Sequence, residues 1–248
     1  MAHSFPENFP DIKGLREGER ALAVERYLIG CGLPNHLLNY QPISLKSGRV
    51  TGTIYVSPDY IGVGPPDRFI RTPLPARSLQ RVADAYGAVL PTARMVYAIH
   101  KAPGVLHVGF KGFSPAKGET RDSTRLWLAS NADIEKGLSG LGPWDPNRVV
   151  TDHKKDVVVG PTQVSRPSKV AIFGGWYPDG DIVQELNVKN HVIEYCDYSQ
   201  CGRLVKPEVL IGGTLWPMHE VFLHPTYRFL LTGETGALTG QPRYGLKV

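Results

Sequence analysis

Only three cysteines, Cys31, Cys196 and Cys201, occur in 248 residues. That number cannot build a disulfide framework, and the spacing matches no zinc motif. Cys196 and Cys201 can pair only if the chain turns between them; otherwise all three are packing thiols. No apolar run approaches the roughly 18 residues of a membrane span. The opening stretch, MAHSFPENFPDIKG, lacks a basic segment leading into an apolar one, so it holds no recognisable secretory leader. Internal repeats and low-complexity tracts are missing too, which argues against a solenoid.

What is present is ordinary for a folded chain: 42% hydrophobic and 21% charged residues, enough for a core within one domain spanning residues 1–248. The formal net charge is +5. Basic residues outnumber acidic ones between Arg68 and Lys101, where Arg71, Arg77, Arg81 and Arg94 also lie. Such a stretch suits an anionic or glycan polymer, but no nucleic-acid motif accompanies it, and a solvated helical face accounts for it equally. Nothing in the sequence fixes an oligomeric state.

Periodicity assigns an α+β class, a mostly antiparallel sheet with peripheral helices. GERALAVERYLIGCGLP spaces Ala21, Val24 and Leu28 as a helix and ends it at Gly32 and Pro34. NYQPISL and RVTGTIYVSPDYIGVG read as short strands. Leu79, Val82, Ala83 and Tyr86 mark a second helix; Met95, Val96 and Ile99 mark a third, and a tight connection predicts that these two pair. VLHVGF reads as a strand, DSTRLWLASNADIEKGL as a helix, and Pro143 and Pro146 as an irregular loop. The strongest hairpin signal is SKVAIFGGW and DIVQEL around Pro178-Asp179-Gly180. GRLVKPEVLIGG continues the β character, and HPTYRFLLTGETG predicts a short closing helix.

Chemistry concentrates in two places. If 191–199 is extended, His191, Ile193, Tyr195, Asp197 and Ser199 share one face. An imidazole, a carboxylate and a phenol there can shuttle protons and stabilise an oxyanion, although a solvent-facing strand is polar without any such role. DHKKDVVVG adds His153, Lys154, Lys155 and Asp156 ahead of an apolar strand. His153 and Asp156 can join His191 and Asp197 as base, orienting groups or ligands of a divalent metal such as zinc. No recognised metal spacing supports the last option, so no cofactor is expected. A Cys201 or Ser199 nucleophile beside a histidine is a further arrangement, without the G-x-S-x-G turn.

The blocks DHKKDVVVGPTQVSRPSKVAIFGGWYPDGDIVQEL and HVIEYCDYSQCGRLV, with LPARSLQRVADAYGAVLPTARMVYAIHKA upstream, resemble a family of mostly exported, uncharacterised bacterial proteins. That family reads G-H-K-K-D-V-V, then I-Y-G-W-H, then Y-A-D-Y-S-H-G-x-R-L-V, and the resemblance covers about residues 70–245. It carries over His153, Lys154, Lys155, Asp156, Trp176, Tyr195, Asp197, Tyr198, Ser199 and Arg203. Tyr177 stands where the family has His, and Gln200-Cys201 where it has His-Gly. The loss of two imidazoles puts a family site in doubt here.

The resulting expectation is a hydrolase of an extracellular or cell-envelope polymer, peptidoglycan or polysaccharide. His153 or His191 is the base, Asp156 and Asp197 orient or donate, and Tyr195 stabilises the transition state. Lys154, Lys155, Trp176, Tyr177, Tyr198, Ser199 and Arg203 form the binding set, and His153 is expected to meet Asp197. The competing class is a structural or binding protein, such as a virion or surface component, in which the same cations brace the fold.

Overall fold

The computed structural model describes residues 5–12, 14–142, 145–236 and 238–245; the expected loop at Pro143 falls outside them. The chain enters with α1 (Glu17–Cys31), β1 (Gln41–Ser47), β2 (Val50–Val56) and the two-residue strands β3 (Gly62–Val63) and β4 (Ile70–Arg71). Then come α2 (Ala76–Ala85), α3 (Ala93–Lys101), β5 (Leu106–His107) and α4 (Thr124–Ser139). The second half holds β6 (Val150–Thr151), β7 (Lys155–Val158), α5 (Pro161–Val164), β8 (Ala171–Trp176) and β9 (Ile182–Asn187). It closes with β10 (Gln200–Cys201), β11 (Glu208–Ile211), β12 (Thr214–Pro217), α6 (Met218–Leu223) and α7 (Arg228–Leu231). The class is α+β, with helices around sheets in which antiparallel pairs dominate. No helix among the described residues is long and apolar enough to cross a membrane.

Two four-stranded sheets organise the fold. The first runs β1-β2-β11-β12 and is wholly antiparallel. The second runs β10-β7-β8-β9; β10 lies parallel to β7, with Gln200 opposite Lys155, and the remaining pairs are antiparallel. The β8–β9 hairpin closes as the sequence predicts, with Gly180 N–H donating to Tyr177 O at 2.9 Å. Its first strand carries a register shift between Ile172 and Gly174. A Cβ at Gly174 would lie 3.1 Å from both the Trp176 ring and Val96, and φ there is +91°, so glycine is what lets α3 approach the strand.

The predicted helical faces are buried, and Leu79, Val82, Met95 and Ile99 are each at most 1% exposed. The expected helix pair is corrected. α2 packs against α1 in one apolar cluster, whereas Met95 and Ile99 of α3 belong to a second cluster with the first sheet, α6 and α7. Val96 faces a third cluster with Phe173 and Trp176. α3 therefore lies between the two sheets, its last turn directed toward the end of β8.

The strand expected over 191–199 does not form. Tyr195 N–H turns back to Val192 O, and Gln200 N–H to Asp197 O. The Asp197 carboxylate also accepts from Ser199 N–H at 2.8 Å. A short polar side chain that satisfies its own backbone in this way competes with a sheet ladder, and here it wins.

Candidate active site

Two charged regions separate at one peptide bond, between Asp152 and His153. The first lies inside. His153 is 2% exposed, and its Nδ1 donates to Thr151 O at 3.1 Å. Its Nε2 lies 3.4 Å from Asp59 Oδ1, and its ring meets the edge of Tyr60. Burial pushes this imidazole down to about 4, against the pull of Asp59, so it is neutral near pH 7. Asp59 is bound by Arg71 through Nε at 3.1 Å and through Nη2, and Arg71 also reaches Asn131 and Glu135. Burial alone would raise the Asp59 carboxyl, but the Arg71 guanidinium holds it well below the ordinary carboxylate range.

Asp156 takes a hydrogen bond from Tyr60 O–H at 2.8 Å. Burial lifts its carboxyl to about 7, although Arg203 and Tyr60 favour the ionised form. Arg203 is fully buried over the Tyr60 ring and donates to Ser57 O at 2.7 Å and Val150 O at 2.6 Å. Lys154 donates to Ser130 Oγ at 2.9 Å and Tyr198 O at 2.6 Å, and burial lowers its amine to about 8. These hydrogen bonds tie β6, β7, α4 and the 197–203 segment together. The His153, Lys154, Asp156 and Arg203 side chains are buried.

The expected meeting of His153 with Asp197 is corrected. The Asp197 carboxylate lies 3.3 Å from Lys155 Nζ and accepts from Tyr195 O–H at 3.1 Å and from the Ser199 hydroxyl. Burial opposes its ionisation, but Lys155 and Ser199 hold the carboxyl below its usual range. His191 stacks on Tyr195 at 3.8 Å and stays near the surface. The four residues His153, Asp156, His191 and Asp197, which the sequence allows to converge, are therefore split between separate groups of contacts. Cys201 Sγ lies 3.3 Å from the carbonyls of Ile61 and Thr72, and burial pushes the thiol up to about 12. Ser199 spends its hydroxyl on Asp197, so neither is an activated nucleophile. All three cysteines are free, with only Cys31 exposed. Part of the basic stretch is paired in place, with Arg71 buried on Asp59, and Arg81 and Arg77 bridged nearer the surface to Glu25 and Glu194.

The second region opens outward. His100 lies in the last turn of α3, His107 ends β5, and Asp152 follows β6. The parallel pairing of β5 with β6 sets His107 beside Thr151 and brings the three together. Asp152 Oδ1 lies 2.8 Å from His100 Nδ1, and Oδ2 lies 2.7 Å from His107 Nδ1. The Asp152 side chain is 5% exposed and that of His100 10%, but that of His107 is 46% exposed. Trp176 locks the arrangement: its ring stacks on His100 at 3.9 Å and its backbone N–H donates to the Asp152 carbonyl at 3.1 Å. Asp152 has φ +79°, the sole non-glycine residue with positive φ among the described residues. Strain of that kind persists where surrounding bonds over-determine it, and it concentrates at working sites.

Neither His100 nor His107 was flagged by sequence. His100 passes as the basic last turn of an amphipathic helix, and His107 as an outward residue of a strand. Asp152 was noticed only as the head of the DHKKD run. Tyr177, at the position where the resembled family reads His, is 42% exposed and meets the Phe110 edge. Gln200 is fully buried with both amide atoms unpartnered, so the second departure lies in the interior. Comparison with family models, with curated proteins and with solved structures gives no match.

Proposed function

We propose that this chain is a hydrolase acting on an extracellular or cell-envelope polymer, with its reaction centre at His100, His107 and Asp152. The observation that carries the reading is a buried carboxylate that engages the Nδ1 atoms of two imidazoles while one imidazole remains open to solvent. With protons on both Nδ1 atoms, Asp152 fixes each ring, and a Nε2 lone pair is left on His107 at the surface. That is the arrangement of an oriented base beside bulk water. Tyr97 and Tyr177, half-exposed and adjacent to His100 and Trp176 in turn, offer flat faces for sugar rings. The family resemblance and the basic net charge make peptidoglycan and anionic wall polysaccharides the first substrates to try.

The residues after Asp152 favour the alternative class. The His153, Lys154 and Asp156 side chains brace the interior, as expected of a structural or binding component. Incubating the purified protein with sacculi and polysaccharides separates the two readings. Release of soluble fragments by the native chain but not by His107→Ala supports the hydrolase. Polymer binding without any release supports the binding protein.

A further inference from the structure

We infer that His100, His107 and Asp152 form a binding site for one divalent metal ion of the zinc class. The inference rests on the reading of this cluster as the reaction centre and adds the cofactor to it. One nitrogen of each imidazole and one Asp152 oxygen all lie within 4.8 Å of one another. Zinc bound at about 2.0–2.2 Å from nitrogen and oxygen sets tetrahedral ligands roughly 3.3–3.6 Å apart, so small rotations of the rings suffice.

Each of these contacts needs a bridge. A carboxylate oxygen 2.7–2.8 Å from an imidazole nitrogen is stable only with a proton or a cation between them. The cluster thus has two forms, one bridged by two protons and one bridged by an ion. In the second the Nδ1 protons would leave for solvent, His107 would become a ligand with its remaining proton on Nε2, and the ion would take over from that imidazole the activation of water.

The remainder of the site suits the ion-bridged form. Two histidines and one carboxylate make a mixed nitrogen and oxygen set of the kind used where one position stays open for water. His107 keeps that side of the cluster in solvent, whereas His100 is clamped by Trp176 and Asp152 is pinned through its backbone carbonyl. Supporting contacts of this sort hold ligands in place before the metal arrives. The thiols are elsewhere: Cys196 and Cys201 are buried, and no cysteine belongs to the cluster.

The test is direct metal binding. Full-length protein, dialysed against chelator and then freed of it, is titrated calorimetrically with Zn²⁺ and separately with Co²⁺. One equivalent per chain is expected, with a melting temperature that rises with zinc concentration. Cobalt should give visible ligand-field bands without a sulfur charge-transfer band. His107→Ala should weaken binding at least about a hundredfold while its metal-free melting temperature stays at the native value. Asp152→Asn, checked for folding by circular dichroism, should do the same. No stoichiometric binding, unchanged affinity in both variants, or a sulfur band would overturn the site. The hydrolase reading fails separately, through zinc-loaded protein that binds one ion yet releases nothing from any polymer. Turnover that survives chelation in a chain that binds no zinc removes the metal and leaves the hydrolase.

Discussion

Asp152 and His153 are neighbours in the chain, and they lead into opposite kinds of chemistry. On the His153 side, the charged groups are enclosed and held by fixed partners, as in Asp59 with Arg71 or Lys154 with Tyr198 O. On the Asp152 side, the partners are imidazoles, and one of them reaches solvent. A dense cluster of ionisable residues is therefore not by itself a reaction centre. Enclosure turns such residues into bracing, because desolvation fixes their protonation and denies them a substrate. What distinguishes the working candidate is an open edge.

The sharpest way to break this comparison is to remove one histidine from each side. His107→Ala should lower turnover roughly 10²–10⁴-fold, the usual worth of a positioned proton-transfer group, and shift stability by no more than about 0.5 kcal/mol. His153→Ala should lower the melting temperature clearly. Its effect on turnover by the protein that remains folded should be small. Turnover assays beside thermal melts decide the matter, and the reverse pattern would move the centre to His153 and its enclosed partners.

Arg71→Met tests the enclosed side at its strongest point. It leaves Asp59 and Glu135 without their cation, and breaking a buried pair in this way costs about 3–5 kcal/mol. Urea unfolding measures it, and a loss below about 1 kcal/mol would mean that the network is not structural. Leu79→Ala and Ile99→Ala, one in each major apolar cluster, should each cost about 2–5 kcal/mol.

The pH dependence is subtler. Asp156 has its carboxyl raised to about 7, so the folded chain binds a proton that the unfolded chain releases near pH 4. This group's stabilising contribution is complete below about pH 4 and is lost as pH rises through 7. Asp156→Asn should flatten that decline, and the difference between native and variant melting temperatures should shift in the variant's favour from pH 5 to pH 8. His153, held near 4, acts in the opposite sense: stability falls as pH drops from about 6.5 toward 4. Melts of the native chain alone therefore mix two slopes, and the variant is needed to separate them.

The smallest effect concerns the thiols. Cys31→Ser should change stability by less than about 0.5 kcal/mol. In the native chain a thiol reagent should label Cys31 rapidly, and Cys196 and Cys201 only on unfolding. Fast labelling of all three would mean that the enclosed side is open.

Local rules made much of this fold legible. Ala21, Val24 and Leu28 announce α1, and Pro178-Asp179-Gly180 announces the hairpin, because helical spacing and turn chemistry are properties of a few adjacent residues. The helix pair was misjudged because periodicity says which face of α2 or α3 is buried but not against what. The extended reading of 191–199 failed at Asp197, whose side chain captures its own backbone. The candidate centre was hidden for a different reason. His100, His107 and Asp152 come from three elements joined by the parallel β5–β6 contact, and no spacing rule links a helix end to a strand more than forty residues on. The positive φ of Asp152 has no signature in a non-glycine residue.

The order of the first sheet has a consequence in time. β2 must wait for β11, since Thr53 faces Leu210, and at a synthesis rate of about 5–20 residues per second that partner follows roughly 8–30 s later. Until then the β1–β2 hairpin has a naked inner edge, and Val56 lacks the bridge to Val205 that will also hold Val89. Such a distant closure makes folding slow relative to local hairpins, and it leaves a sticky edge on the ribosome-bound chain. A nascent chain arrested before residue 205 should therefore bind holdase chaperones, and release should coincide with the emergence of β11.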